Sequence, residues 1–178
     1  MTPPLRIHLV RAVNVGGTAK LPMADWRALA EGLGATRVTT YIASGNLVCV
    51  PPDDDHDAFD RALEHAVEER FGFFREVISR SREEVANALA AHPFEVIEPK
   101  FSYITFLTAA PTAEAVEAAR EVPTGDDRWE VIGRDLHVRY AQGAGRPQMK
   151  DATVGRRLAV AGTARNLNTV RKLLELSA

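Results

Sequence analysis

The order in which hydrophobic periods succeed one another constrains this chain more than any single residue does. Leu5, Ile7 and Leu9 alternate with Arg6, His8 and Val10, the period-two pattern of a strand with one buried face. Residues 23–33 change period. Met23, Trp26, Leu29 and Leu33 form the apolar stripe of a helix, which Gly34 is placed to stop. Residues 38–42 and 47–50 read as strands around a turn at 43–46, where Gly45 and Asn46 tolerate positive φ. Asp53, Asp54, Asp55 and Asp57 then precede a helix over 55–70 with Phe59, Leu63, Ala66 and Val67 on one side. Their spacing does not match a calcium loop, and acids there favour the positive end of the helix dipole. A fourth strand follows over 74–79. Strand, helix, two strands, helix, strand is the ferredoxin-like, or split βαβ, order.

The order then recurs. Ser81 and Glu84 have the spacing of a capping box, opening a helix that His92-Pro93 breaks. Residues 101–107 read as a strand and 111–121 as an Ala-rich helix. Strands over 129–132 and 136–140 flank a tight turn at Gly133. A helix over 150–160, an extended piece at 162–164 and a terminal helix over 167–177 complete the cycle. Asn166 is placed to cap that last helix, and Leu167, Val170, Leu173 and Leu174 form its apolar side. His137 and Arg139 share a strand face opposite Leu136, Val138 and Tyr140 and are expected in solvent. The expected fold is therefore α+β: two ferredoxin-like halves, residues 1–80 and 99–178, joined by a helical connector at 81–98. They are read as packed into one compact unit with an extra C-terminal helix.

Three stretches carry more polar chemistry than their turns require. Arg11, Asn14, Gly16 and Gly17 follow the first strand. Arg11 shares the parity of Leu5, Ile7 and Leu9, which puts a cation at the end of a covered face. Tyr41, Ser44 and Asn46 lie in the second turn. Arg165, Asn166, Asn168, Thr169 and Lys172 open the terminal helix. A helix start with free amides behind Asn166 is an anion-binding geometry. Arg165 adds a bidentate donor fork, and paired glycines let backbone amides approach a ligand.

The same positions carry a resemblance. Arg11, Asn14, Gly16 and Gly17, then Tyr41, Ser44, Gly45 and Asn46, Pro93 and Phe94, and Thr163 with Arg165, Asn166, Asn168, Thr169 and Lys172 resemble, in order and over nearly the whole chain, the signature of a bacterial family. That family is catalogued as domain of unknown function 1697. The resemblance implies an α+β fold of two ferredoxin-like halves and no established activity. Where compared members carry an aromatic after the Arg-Asn pair, this chain has Leu167, which argues against base stacking there.

Composition narrows the class. With 178 residues, 46% hydrophobic and 26% charged, the chain is that of a folded globular protein. No apolar run nears the roughly 18 residues of a membrane span. The N-terminal stretch, interrupted by Arg6 and His8, lacks a signal-peptide core. A single cysteine, Cys49, excludes internal disulfides and a Cys-rich metal site. Cytoplasmic location and a monomer or weak dimer are expected. Net charge is −2, but residues 143–172 hold seven cations against one anion. Such a segment is a field for an anionic ligand, or it balances the acidic body within the fold.

Known catalytic motifs are missing. Gly16, Gly17 and Lys20 lack the Walker spacing, Gly143 and Gly145 lack the third glycine of a dinucleotide fingerprint, and Ser44 is not in a nucleophile elbow. The histidines lack metal-ligand spacing, and the aromatic RNA-recognition motifs are absent. We expect the three stretches to meet in a cationic pocket between the halves that binds an anionic small molecule or nucleotide. Three alternatives stay open: a nucleic-acid binder, a small enzyme acting on a phosphorylated substrate, and purely structural roles for these residues. No cofactor is identified.

Overall fold

The computed structural model describes residues 3–178. Met1 and Thr2, part of the N-terminal stretch read above, lie outside the described residues. The first cycle comprises β1 (Arg6–Val10), α1 (Met23–Gly32), β2 (Thr36–Tyr41), β3 (Asn46–Val50), α2 (His56–Phe71) and β4 (Val77–Ser81). It is followed by α3 (Arg82–Ala90). The second comprises β5 (Ser102–Leu107), α4 (Ala113–Arg120), β6 (Arg128–Ile132), β7 (Asp135–Arg139), α5 (Asp151–Leu158) and β8 (Gly162–Asn166), then α6 (Leu167–Leu176). Each cycle closes a four-stranded antiparallel sheet, ordered β2-β3-β1-β4 and β6-β7-β5-β8. The two orders are the same, and both are those of a ferredoxin-like half.

The chain divides into two compact units. One holds the residues up to Ala86 together with Lys172–Ala178, the other Asn87–Arg171. The division falls inside α3, and α6 begins in the second unit and ends in the first.

In the first unit, α1 and α2 bury Trp26, Ala30, Phe59, Leu63 and Val67 against Val10, Leu47, Cys49 and Val77 of the sheet. Asp55 caps α2 by accepting from the Ala58 amide at 3.0 Å, as the acid run before it required. Gly72 ends the helix in the left-handed conformation at φ 75. Beneath α2 lies a buried polar network. The His8 Nδ1–H donates to Asp60 Oδ1 at 2.8 Å, and the Ser79 hydroxyl donates to Asp60 Oδ2 at 2.6 Å. Asp60 thereby ties the helix to β1 and β4. Burial holds the His8 pKa below its ordinary value, against the pull of Asp60.

In the second unit, α4 and α5 bury Ala119, Val154 and Leu158 against Leu107, Trp129, Leu136 and Val138. Thr112 caps α4 through the Ala115 amide at 3.1 Å. The capping box at α3 forms in both directions: the Ser81 amide donates to Glu84 at 2.7 Å, and the Glu84 amide to Ser81 Oγ at 3.1 Å.

Two expectations about strand faces are corrected. β1 is buried on both faces: Ile7 and Leu9 are sequestered on one, His8 and Val10 on the other. Alternation of His with apolar residues reads as one-sided, yet His8 lies inside with its Nδ1 bonded to Asp60, while its buried Nε2 has no hydrogen-bond partner among the described residues. His137, expected in solvent, is fully buried. Its Nδ1 lies 3.1 Å from Nδ1 of His92, one donating to the other. Burial, with His92 beside it, lowers its pKa to about 4. The sheet face opposite α4 and α5 is thus a second interior, holding Ile104 and Phe106 as well.

Candidate functional site

At one end of the first sheet three connections come together: the loop after β1, the β2–β3 turn and the approach to β4. They meet there because β1 runs antiparallel to both β3 and β4. The loop leaves β1 through an abrupt change of backbone. Ala12, Asn14, Gly16, Gly17 and Ala19 all have positive φ, between 47 and 73. Gly16 (φ 60) and Gly17 (φ 73) are the central pair of a tight turn, closed by the Thr18 amide donating to the Val15 carbonyl at 3.1 Å. Two consecutive left-handed residues are the requirement of a type I′ turn, and glycine meets it without strain. The tip is exposed, and neither glycine amide has a hydrogen-bond partner within the described residues.

Asn14 holds this loop in place. Its Nδ2 donates to the Leu21 carbonyl at 2.8 Å and to the Ala43 carbonyl at 2.7 Å, and its Oδ1 accepts from the Leu21 amide at 2.8 Å. One side chain thus staples the loop to the chain entering α1 and to the neighbouring turn. Asn46 performs the equivalent task in that turn. It is buried and donates to the Tyr41 carbonyl at 2.8 Å and to Ser44 Oγ at 2.9 Å. Gly45 packs so closely that a Cβ would run into Val10 and Val13. The Val10 amide donates to the Gly45 carbonyl at 3.1 Å.

Cations rim this end. Arg11 lies 3.3 Å from Glu76 and keeps 43% of its side chain exposed. It therefore stands half-exposed at the end of the sheet, paired with Glu76. Arg75 Nε donates to the Ala12 carbonyl at 3.3 Å. Lys20 is exposed and has no partner within the described residues. Lys172, which belongs to the first unit, donates to Glu175 at 2.9 Å; this bond raises its pKa, and Tyr41 adds to the effect.

Of the three stretches singled out from the sequence, the first two are thus joined directly, by Asn14 to Ala43. Of the third, Lys172 comes within electrostatic reach of Tyr41. Arg165, Asn166, Asn168 and Thr169 belong to the second unit. There Asn166 Oδ1 accepts from the Thr169 amide at 3.0 Å and so caps α6. Arg165 is buried, donating to Thr163 Oγ1 at 2.6 Å and to the Ala164 carbonyl at 2.9 Å. Burial lowers its pKa to about 10, so it remains a cation at neutral pH. The Arg165–Asn166 pair lies where β5 begins, since Tyr103 registers with Asn166, whereas the Arg11 loop lies where β1 ends. Within their own halves the two motifs occupy opposite ends of equivalent sheets.

Sequence reasoning weighed Lys20 only against a Walker motif, and it missed Arg75 and Glu76, which reach this cluster through topology and carry no local pattern. It also missed the His8–Asp60–Ser79 network, whose members are scattered over β1, α2 and β4. Among the described residues no group of three or more His, Cys, Asp or Glu is placed to hold a metal ion, and no helix is long and apolar enough to cross a membrane.

Residues 5–137 match the model of a family described as Protein of unknown function (DUF1697). Among solved structures, the chain is similar to a conserved bacterial protein, SP0830 from Streptococcus pneumoniae. The TM-score is 0.71 at 20% identity, covering 98% of this chain and 99% of that one. The likeness shows a shared fold. No curated protein matches.

Proposed function

The chain is a member of that family of unknown function, and we propose that it binds the anionic group of a small molecule, a phosphate or a carboxylate, at the Arg11 end of the first unit. One observation carries this reading. The Asn14 staple fixes a loop of left-handed backbone so that Arg11, the bare amides of Gly16 and Gly17 and the Ser44 turn share one sheet end. Holding that many non-glycine residues at positive φ is strained, and such strain collects where a loop must present ligand-binding groups.

In this site each residue type has a distinct task. Arg11 offers a planar guanidinium that grips two oxygens at once. The Gly16 and Gly17 amides donate where no side chain intervenes. Ser44, Lys20 and Lys172 supply further donors close by. Tyr41 shapes the turn, and Asn14 and Asn46 position it, since their amide groups are committed to backbone and to Ser44. Arg165, Asn166, Asn168 and Thr169 serve the end of β8 and the α6 cap in the other unit.

Thermal unfolding against phosphate, pyrophosphate and citrate, at constant ionic strength, tests the reading. A ligand at one hundred times its Kd stabilises by about 2.7 kcal/mol. Stabilisation by pyrophosphate that disappears in Arg11→Ala supports it. Equal response of wild type and variant, or none in either, rejects it.

A further inference from the structure

Six large apolar side chains are exposed among the described residues, and three of them, Val15 (55%), Ile42 (50%) and Phe74 (47%), stand on the three connections at the Arg11 end. Val15 follows Asn14, and Ile42 precedes Ala43, so the 2.7 Å bond from Asn14 to Ala43 sets the two aliphatic residues on adjoining segments. Phe74 precedes Arg75, whose Nε reaches the Ala12 carbonyl of the same loop. Ile42 is held at φ 47. A β-branched residue in the left-handed region is a backbone outlier. Gly45, three positions on, has positive φ and no room for a Cβ, whereas Ile42 carries a branched aliphatic side chain that is 50% exposed.

We infer that the ligand is a nucleotide, with its phosphates on Arg11 and the Gly16–Gly17 amides and its base resting on Val15 and Ile42. The inference rests on the anion site proposed above and names the chemistry attached to the anion. Charge complementarity selects this occupant. Cations and aliphatic side chains alternate within a few residues: Arg11 and Lys20 flank Val15, and Arg75 adjoins Phe74. A flat apolar ring joined to a phosphate matches that juxtaposition, as ligand sites combine apolar walls with a few placed donors. A polybasic membrane-binding surface carries about four to eight cations, more than Arg11, Lys20 and Arg75 supply.

Calorimetric titration of the full chain with ATP, GTP, adenosine and inorganic triphosphate, in one buffer, tests this. A nucleoside triphosphate is expected to bind about tenfold more tightly than inorganic triphosphate. Ile42→Gly removes the shelf and relieves the backbone, so it is expected to raise the melting temperature while weakening the nucleotide about fivefold and leaving triphosphate unchanged. Val15→Ser, which leaves position 42 intact, is expected to act in the same direction on affinity alone. Equal affinity for nucleotide and triphosphate overturns the nucleotide assignment and leaves the anion site standing. Binding of neither overturns both. Adsorption to phosphatidylserine vesicles without nucleotide binding overturns the assignment in favour of a membrane surface.

Discussion

Replacing Asn14 is the perturbation that bears most directly on how the Arg11 loop is held. Asn14→Ala removes two donors and an acceptor, breaking bonds of 2.8, 2.7 and 2.8 Å to Leu21 and Ala43. Each contributes about 0.5–1.5 kcal/mol net. Leu21 is fully buried, so its amide and carbonyl regain water poorly and the upper half of that range applies to its two bonds. The Ala43 bond is exposed and takes the lower end, so the three bonds together amount to about 2.5–3.5 kcal/mol. Alanine must also adopt φ 56, where asparagine is tolerated better, which adds up to about 1 kcal/mol. Asn14→Gly breaks the same bonds without that strain and should be milder by about that amount. Amide hydrogen exchange reads the first unit residue by residue. The Leu21 amide should lose its protection. The opening free energy at Val10, whose amide donates to the Gly45 carbonyl, should fall by about 2.5–4.5 kcal/mol in Asn14→Ala. A change below about 0.5 kcal/mol, or equal effects of alanine and glycine, would refute the staple or the strain respectively.

Other expectations follow from the buried groups. His137 has a folded pKa lowered to about 4 against about 6.5 unfolded. The unfolded chain therefore takes up the proton first, and stability intact above pH ~6.5 is lost as pH falls toward ~4, at up to about 1.4 kcal/mol per pH unit. Urea midpoints between pH 7.5 and 4.5 should fall less steeply in His137→Gln, and an unchanged slope would contradict the assignment. Asp60→Ala strands the His8 Nδ1–H and the Ser79 hydroxyl in the core and should destabilise the first unit by about 2–4 kcal/mol in urea titration; a neutral effect would mean that water replaces the carboxylate. Burial raises the Cys49 pKa to about 12, so a disulfide reagent at pH 8 should modify it only on unfolding, and rapid reaction of the native chain would show that the thiol is accessible.

The fold was legible because each cycle announces its elements in local terms. Asn166 and the Ser81–Glu84 pair cap the helices they were placed to cap, and Asp55 of the acid run caps the helix that the run was read to open. The apolar stripe containing Trp26 and the one containing Leu63 both face a sheet. Strand faces were less legible. His8 and His137 look like solvent positions by type, and only partners distant in sequence, Asp60 and His92, reveal that they are interior. The candidate site was legible in part. Asn14 and the 41–46 turn stand out by composition and are bonded together. Their asparagines, however, act on backbone, which residue type alone does not distinguish from ligand contact. Arg11 shares the parity of Ile7 and Leu9, but at the strand end its side chain is 43% exposed and pairs with Glu76, which parity alone does not show. Val15, Ile42 and Phe74 carried no signal, since an isolated apolar residue in a loop acquires meaning only when topology sets others beside it.

Anion binding at the Arg11 end is measured most directly by titrating inorganic pyrophosphate into isotope-labelled protein and following every backbone amide by NMR. The account predicts saturable shifts centred on Gly16, Gly17 and Ser44, lost in Arg11→Ala with the rest of the spectrum intact. Shifts that stay linear in concentration, or that centre elsewhere and survive the substitution, would contradict it.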